Sequence, residues 1–173
     1  IFQYGRVYSM QEEATAYLLT NAFASKHQQA GGVRGAMGYP ISDARPINTA
    51  RGGTVQTFER GRIYQVGSSI RQTHGSLYDC HQANGGVGGV FGYPSSDVKS
   101  SYAGGRVQYF ERGIIWSFPP EDIPGQGLHG VTLFRFVYNG GVDPRPGYYG
   151  LGYPTQGTTP VGDGRGTYAV FQR

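Results

Sequence analysis

The chain has 173 residues, 30 of them Gly, 14 Tyr and 9 Phe, with 38% hydrophobic residues, a mix that favours many short strands joined by tight turns over an all-helical fold. Its formal charge is +4, but thirteen Arg and two Lys are scattered singly among acids, so the clustered patch that displaces counterions from nucleic acid is missing and no such partner is expected. A single Cys rules out an intrachain disulfide, and no apolar run approaches the length of a membrane span.

Taken in chain order, the sequence begins on Ile1-Phe2-Gln3-Tyr4-Gly5-Arg6-Val7-Tyr8, part of an aromatic hairpin, without a Met or a signal-like apolar stretch, and reads as trimmed. From Thr20 a short helical segment runs to Gly31-Gly32, and Gly38-Tyr39-Pro40 follows. The stretch Val55-Gln56-Thr57-Phe58-Glu59-Arg60-Gly61-Arg62-Ile63-Tyr64 places two β-branched and aromatic runs around a Glu-Arg-Gly turn, which predicts a β-hairpin. His74 then stands where Thr20 stood, Leu77 to Ala83 suits two helical turns, and Asn84-Gly85 supplies a stop before Gly92-Tyr93-Pro94. A second hairpin, Val107-Gln108-Tyr109-Phe110-Glu111-Arg112-Gly113-Ile114-Ile115-Trp116, leads to His129, a third helical segment, Asn139-Gly140 and Gly152-Tyr153-Pro154. The chain closes on Tyr168-Ala169-Val170-Phe171-Gln172-Arg173, again the first strand of a hairpin.

These elements are three copies of one unit: hairpin, linker, short helix, Gly-rich turn and Gly-Tyr-Pro loop. The loops are spaced by 54 and 60 residues, the longer third copy carrying an insertion around Asp143 to Tyr149. The approximate repeats are 1–53, 54–105 and 106–166, with a partial strand at 167–173, and the length suits one domain over 1–173. The expected fold is mainly β with short helices. A single unit has too little apolar surface to bury alone and must stack on its neighbours.

In Gly-Tyr-Pro the Gly admits backbone closed to other residues and the Pro holds the Tyr extended, so Tyr39, Tyr93 and Tyr153 are stiffly mounted. They read either as platforms for sugar rings or, with more weight, as packing wedges between repeats. Asp43 and Asp97, three residues after the Pro, are candidate acceptors for sugar hydroxyls or local turn caps, the cap reading leading. The pairs Glu59-Arg60 and Glu111-Arg112 sit at hairpin tips, where solvation is the ordinary fate of charge, and their recurrence offers a repeated binding rim. Trp116 occupies the position of Tyr8 and Tyr64 and is core first, ligand platform second. His27 and His81 align with Phe136, which points to aromatic packing over metal binding, and no zinc-ligand spacing or cofactor motif occurs. Cys80 aligns with Lys26 and Arg135, which suggests a tolerant, exposed position. No nucleophile elbow, phosphate loop or metalloprotease helix is present, and acids recurring in equal surroundings do not have the divided pKa values of a catalytic pair.

The sequence resembles the LGFP repeat family of actinobacterial envelope proteins, whose units carry Leu-Gly-(Phe/Tyr)-Pro before a Phe-x-x-Gly-x-Ile-(Tyr/Trp) hairpin. Leu151-Gly152-Tyr153-Pro154 fits completely; Met37 and Phe91 replace the leading Leu in the other copies. The resemblance implies a propeller-like arrangement of repeats and a secreted or wall-associated module that anchors to cell-wall polysaccharide, arabinogalactan or peptidoglycan, beside a catalytic or partner domain of the parent chain. The ligand-binding residues it suggests are Tyr39, Asp43, Glu59, Arg60, Tyr93, Asp97, Glu111, Arg112, Trp116 and Tyr153. The third copy departs from the pattern: Pro154-Thr155-Gln156-Gly157 lacks the acid of the other two, and Gln3 and Gln172 replace Glu59 and Glu111. A protein-interaction scaffold is the alternative, recognisable by a contiguous exposed apolar patch; a glycosidase using paired carboxylates is the third reading.

Overall fold

The computed structural model describes residues 5–9, 15–118, 124–143 and 150–173. Ile1 to Tyr4, including Gln3, and most of the insertion after Asp143 lie outside the described residues. The chain is mainly β, with short helices and small antiparallel sheets, and divides into two compact units, Ile1–Gly75 and Ser76–Arg173.

In the first unit β1 (Arg6–Ser9) pairs with β2 (Ala16–Leu19), which leads into helix α1 (Asn21–Gln29). Strands β3 (Arg45–Pro46), β4 (Thr54–Phe58), β5 (Gly61–Val66) and β6 (Ser69–His74) form one antiparallel sheet in chain order. The expected β4–β5 hairpin is present, with Val55 opposite Tyr64 and Phe58 opposite Gly61, so Gly61 of the Glu-Arg-Gly turn already pairs as a strand residue. Thr20 stands extended at the N-cap of α1, and Phe23, Ala24 and His27 bury one face of the helix. Gly31 and Gly32, at φ 93° and 62°, end it in a conformation that costs other residues energy.

The second unit repeats this plan. Helix α2 (Gly75–Ala83) begins at its boundary, and β7 (Lys99–Ser100), β8 (Arg106–Tyr109), β9 (Gly113–Ser117) and β10 (Gln126–His129) form its larger sheet. Helix α3 (Gly130–Tyr138) follows, and β11 (Pro154–Pro160) pairs with β12 (Thr167–Phe171). The two Asn residues anticipated as stops act through their side chains: the Asn84 amide donates to the Cys80 carbonyl at 2.8 Å and the Asn139 amide to the Arg135 carbonyl at 2.7 Å. Each adds a second donor to a helix-end carbonyl that also accepts the same Asn's backbone N–H, at 3.2 and 3.1 Å.

Every sheet is open, and no closed barrel or propeller is found among the described residues. Nor is any described helix long and apolar enough to cross a membrane.

The cores straddle the repeat boundaries drawn at 53/54 and 105/106. In the first, Phe23 of α1 and Met37 of the Gly-Tyr-Pro loop pack with Phe58 and Ile63 of the next hairpin. In the second, Leu77 of α2 and Phe91 pack with Phe110 and Ile115. A third combines Phe136 of α3, Trp116, Leu128 and Tyr153, with Leu151 and Phe171 against it. The physical module therefore runs from one helix into the hairpin that follows it. This is how the copies meet the expectation that a unit needs its neighbour to bury its aromatic face.

Candidate functional site

The three Gly-Tyr-Pro loops are built alike. Gly38, Gly92 and Gly152 hold φ of 76°, 73° and 74°, and the following Pro bridges to the hairpin Phe: Pro40 to Phe58, Pro94 to Phe110 and Pro154 to Phe171. Each loop is then clamped by the hairpin tip. The Glu59 and Arg60 amides donate to the Tyr39 and Met37 carbonyls, both at 3.0 Å; Glu111 and Arg112 repeat this on Tyr93 and Phe91 at 3.0 and 3.1 Å, and Gln172 and Arg173 on Tyr153 and Leu151, both at 3.1 Å.

The tip side chains act in the same direction. Tyr39 N–H donates to Glu59 Oε2 at 3.0 Å, Tyr93 N–H to Glu111 Oε2 at 3.0 Å, and Tyr153 N–H to Gln172 Oε1 at 3.2 Å. Arg60 Nε and Nη2 donate to the Ala36 and Gly35 carbonyls at 3.2 and 2.7 Å. Arg112 does the same to Val90 and Gly89. The charges expected to be merely solvated are thus committed to holding a glycine-rich backbone whose carbonyls have few other partners. Their outer surfaces stay exposed, so a rim role draws only on what the clamp leaves over.

The aromatic candidates separate. Tyr93 and Tyr153 are 5% and 4% exposed and Trp116 6%, so these rings have no face to offer a sugar. Tyr153 stacks on Phe118 at 5.4 Å and its hydroxyl donates to the Tyr102 carbonyl; Trp116 meets Phe136 edge-on at 5.2 Å. Trp116 and Tyr153 are wedges because α3, the Gly-Tyr-Pro loop and the strands around them converge on one core. Tyr39 alone of the three loop tyrosines is half-buried, edge-on to Tyr8 at 6.5 Å.

Asp43 is not the local cap expected of it. Its Oδ1 accepts from the Leu18 N–H of β2 at 2.8 Å, across 25 residues of sequence. Gln56 Nε2 donates to the Leu18 carbonyl at 3.0 Å and to the Ser42 carbonyl at 2.9 Å. Two side chains thereby satisfy the edge of β2 that no strand covers. Asp97 is half-buried. Gln56 and its counterpart Gln108, both fully buried, are structural residues that motif reading passed over; Gln108 Nε2 donates to the Ser96 carbonyl at 2.9 Å. Ser42 and Ser96 extend the pattern, their hydroxyls accepting from the Thr57 and Tyr109 amides, both at 3.1 Å. The available signal was Val-Gln-x-Phe recurring in both hairpins, with Ala169 in place of Gln in the third.

The histidines pack as their alignment with Phe136 suggests. His27 stacks on Phe58 at 4.8 Å, His81 lies over Phe110 at 4.6 Å, and Phe136 stacks on Phe171 at 4.9 Å. Their Nε2 atoms lie 2.8 Å from the Gly38 carbonyl and 2.9 Å from the Gly92 carbonyl, and since a carbonyl only accepts, each ring must donate there. Burial lowers the His27 pKa, opposed by the bond to Gly38 and reinforced by the Arg6 charge. A depressed folded value means that the neutral ring stabilises the fold fully above about pH 6.5, the ordinary histidine value, and that this contribution is lost as pH falls through the folded pKa. Urea melts of the chain at stepped pH are expected to show the unit containing α1 weakening below about pH 6.5. His27→Phe, which reproduces the third copy, should flatten that dependence, and an unchanged slope would remove His27 as its source.

Cys80 departs from the exposed position inferred for it. It is buried against α2's own core, and burial pushes its thiol up to about 12, against a smaller opposing pull from the Asn84 side chain. Lys26, its counterpart in α1, is buried too; only Arg135 is exposed. Among the described residues no three of His, Cys, Asp or Glu gather as metal ligands.

Residues 37–89 match the family model described as LGFP repeat. No curated protein matches the chain. The matched stretch opens on Met37 at the head of the first Gly-Tyr-Pro loop and runs through the clamp, hairpin, α2 and the next Gly-rich turn. Over residues 37–89, then, the chain carries an LGFP repeat.

Proposed function

We propose that the chain is a non-catalytic module that holds cell-wall polysaccharide, an arabinogalactan or peptidoglycan-type glycan, on behalf of a secreted or wall-associated protein. The observation that carries this reading is that each unit opens a cleft in which polar side chains stand among apolar surface, the mixture that a sugar ring with its C–H face and hydroxyl rim requires. One of about 810 Å³ runs along α1, lined by Arg6, Asn21, Ser25, Gln28 and Gln29 among others. The other, of about 370 Å³, lies in the second unit beside β10 and β11. Two sites on one chain suit avidity on a repeating polymer, where modest affinities multiply. Recurring acids in near-equal surroundings favour binding over acid–base chemistry. Of the residues first singled out, Tyr39, Asp43, Glu59, Arg60, Glu111 and Arg112 keep surface with which to flank such a polymer. Incubation with purified arabinogalactan and with peptidoglycan, followed by sedimentation, is expected to carry the chain into the pellet; protein left wholly in solution with both would end the proposal. The propeller-like closure of successive repeats belongs to the same proposal, and a small-angle scattering profile of an open, extended array would remove it.

One observation favours the alternative of a protein-interaction scaffold. Helix α3 exposes Val131 (77%), Phe134 (66%), Val137 and Tyr138 (64%), with Phe134 stacked on Tyr138 at 6.4 Å. The corresponding positions of α1 and α2 are Ala22, Ser25, Gln28 and Gln29, and Ser76, Asp79, Gln82 and Ala83. An apolar stripe confined to one copy is the kind of surface a protein partner covers.

A further inference from the structure

Resting on the polysaccharide reading, we infer that the cleft of the second unit is a subsite for one neutral sugar residue, walled by α2, β10 and β11. Its existence follows from substitutions peculiar to the third copy. At Gly127 of β10 a Cβ would overlap the Phe91 ring, and at Gly157 of β11 it would lie 2.6 Å from the Gly127 carbonyl oxygen. At Gly125 it would lie 2.6 Å from the Ser76 carbonyl oxygen of α2. Three glycines therefore bring the walls to within backbone contact. The position of Gly127, opposite Ile115, is held in the first unit by Gln72, opposite Ile63. The first unit therefore has a side chain at the position where Gly127 lets the Phe91 ring reach the β10 backbone.

The third copy's missing acid has the same consequence. With Thr155-Gln156-Gly157 after Pro154 in place of Ser-Ser-Asp, the chain runs on as β11 beside β10. Gly157 N–H donates to Gln126 Oε1 at 2.9 Å and His129 N–H to Thr158 Oγ1 at 3.2 Å, which fixes this wall.

The chemistry of the lining selects the ligand. The His129 ring is held edge-on to the buried Phe91 at 5.7 Å, and Ala83 and Pro124, both exposed, supply the cleft's apolar surface. Around it stand the Asp79 carboxylate, the His129 imidazole, the Gln156 amide and the Thr158 hydroxyl. An apolar face ringed by amide, hydroxyl and carboxylate groups matches a sugar, whose C–H face is apolar and whose rim is hydroxyl. About 370 Å³ lies at the lower end of ligand pockets, room for one ring of a chain and not for several. No Lys or Arg is among the described lining residues, and Asp79 is their one acid, so a phosphate or a carboxylate-bearing sugar would meet repulsion with no compensating cation.

The test uses the whole chain and titrates a neutral galactan oligosaccharide and an anionic polygalacturonan oligosaccharide by calorimetry. Two variants, Asp79→Ala and His129→Phe, change side chains that hold no other described hydrogen bond, and His129→Phe keeps the edge contact with Phe91; circular dichroism and melting confirm that each folds. The expected result is binding of the neutral oligosaccharide, weakened about tenfold or more by Asp79→Ala, as loss of a charged acceptor implies, with weaker or no binding of the anionic one. Retention on wall polysaccharide with both variants as tight as the parent would overturn the subsite and leave the polysaccharide reading standing. Preference for the anionic oligosaccharide would overturn the neutral-sugar assignment. Failure of the parent chain to bind any glycan or wall polymer would overturn both.

Discussion

Phe58→Ala is expected to cost the first unit about 3–5 kcal/mol, the range for removing a buried aromatic from a core that cannot collapse around the gap. Phe58 is 1% exposed and stacks on His27 while packing with Leu19, Phe23, Met37 and Ile63. The location of the damage says more than its size. By sequence Phe58 belongs to the second repeat, yet its partners are α1 and the loop of the first. Hydrogen exchange should therefore show α1, Asn21–Gln29, losing protection together with the β4–β5 hairpin. Protection lost in the hairpin alone would mean that the helix stands without its neighbour's aromatic and that the module boundary lies where the sequence period puts it. Phe110→Ala should act in the same way on its own core. Tyr109→Ala, at an exposed neighbouring position, should stay within about 0.5 kcal/mol of the parent.

That boundary illustrates which features were legible in the sequence. Helix starts after Thr20, His74 and His129, stops at the Gly-Gly pairs, and the two hairpins are local: each depends on propensity and turn chemistry within a few residues. The mainly β class follows from the same signals. What periodicity leaves open is partner choice at long range. Nothing near Asp43 indicates that its carboxylate closes the edge of a strand 25 residues earlier. Glu59 and Arg60 look like any charged hairpin tip until the tip is found folded onto the Gly-Tyr-Pro loop. Tyr39, Tyr93 and Tyr153 share one motif, but Tyr93 and Tyr153 are buried and Tyr39 is half-exposed, because what packs over each ring differs between copies. Cys80 was misread because alignment with a Lys and an Arg suggests exposure, whereas Lys26 is itself buried along its stem. The second-unit cleft depends on two glycines meeting, Gly127 and Gly157, which in isolation read as ordinary turn residues.

The clamp can be measured against itself, because all three copies hold the loop Tyr N–H through the same bond, made by Glu59, Glu111 and Gln172. Gly38→Ala is expected to cost about 2.5–5 kcal/mol, of which about 1–2 kcal/mol is the price of a Cβ in the left-handed region. The remainder arises because the new Cβ would overlap the Glu59 carboxylate, forcing it off the Tyr39 N–H, and a hydrogen bond to a charged group contributes about 1.5–3 kcal/mol. At Gly92 the Cβ would stand 2.5 Å from Glu111 Oε2, and at Gly152 its nearest neighbour is Gln172 Cβ at 3.1 Å. The φ values of the three glycines agree to within a few degrees, at 76°, 73° and 74°, so the backbone cost is common to all and the differences report the side chain alone. Loss of stability, read from urea midpoints, should rank Gly38→Ala above Gly92→Ala above Gly152→Ala. Introducing Glu59→Ala beside Gly38→Ala should recover part of the loss, since the carboxylate is gone, but not all of it, since Glu59 Cβ still lies 3.1 Å from the added carbon. Strict additivity of the two substitutions would show that the carboxylate does not hold the loop, and the Glu-Arg tips would then be free to serve as the binding rim that their recurrence first suggested.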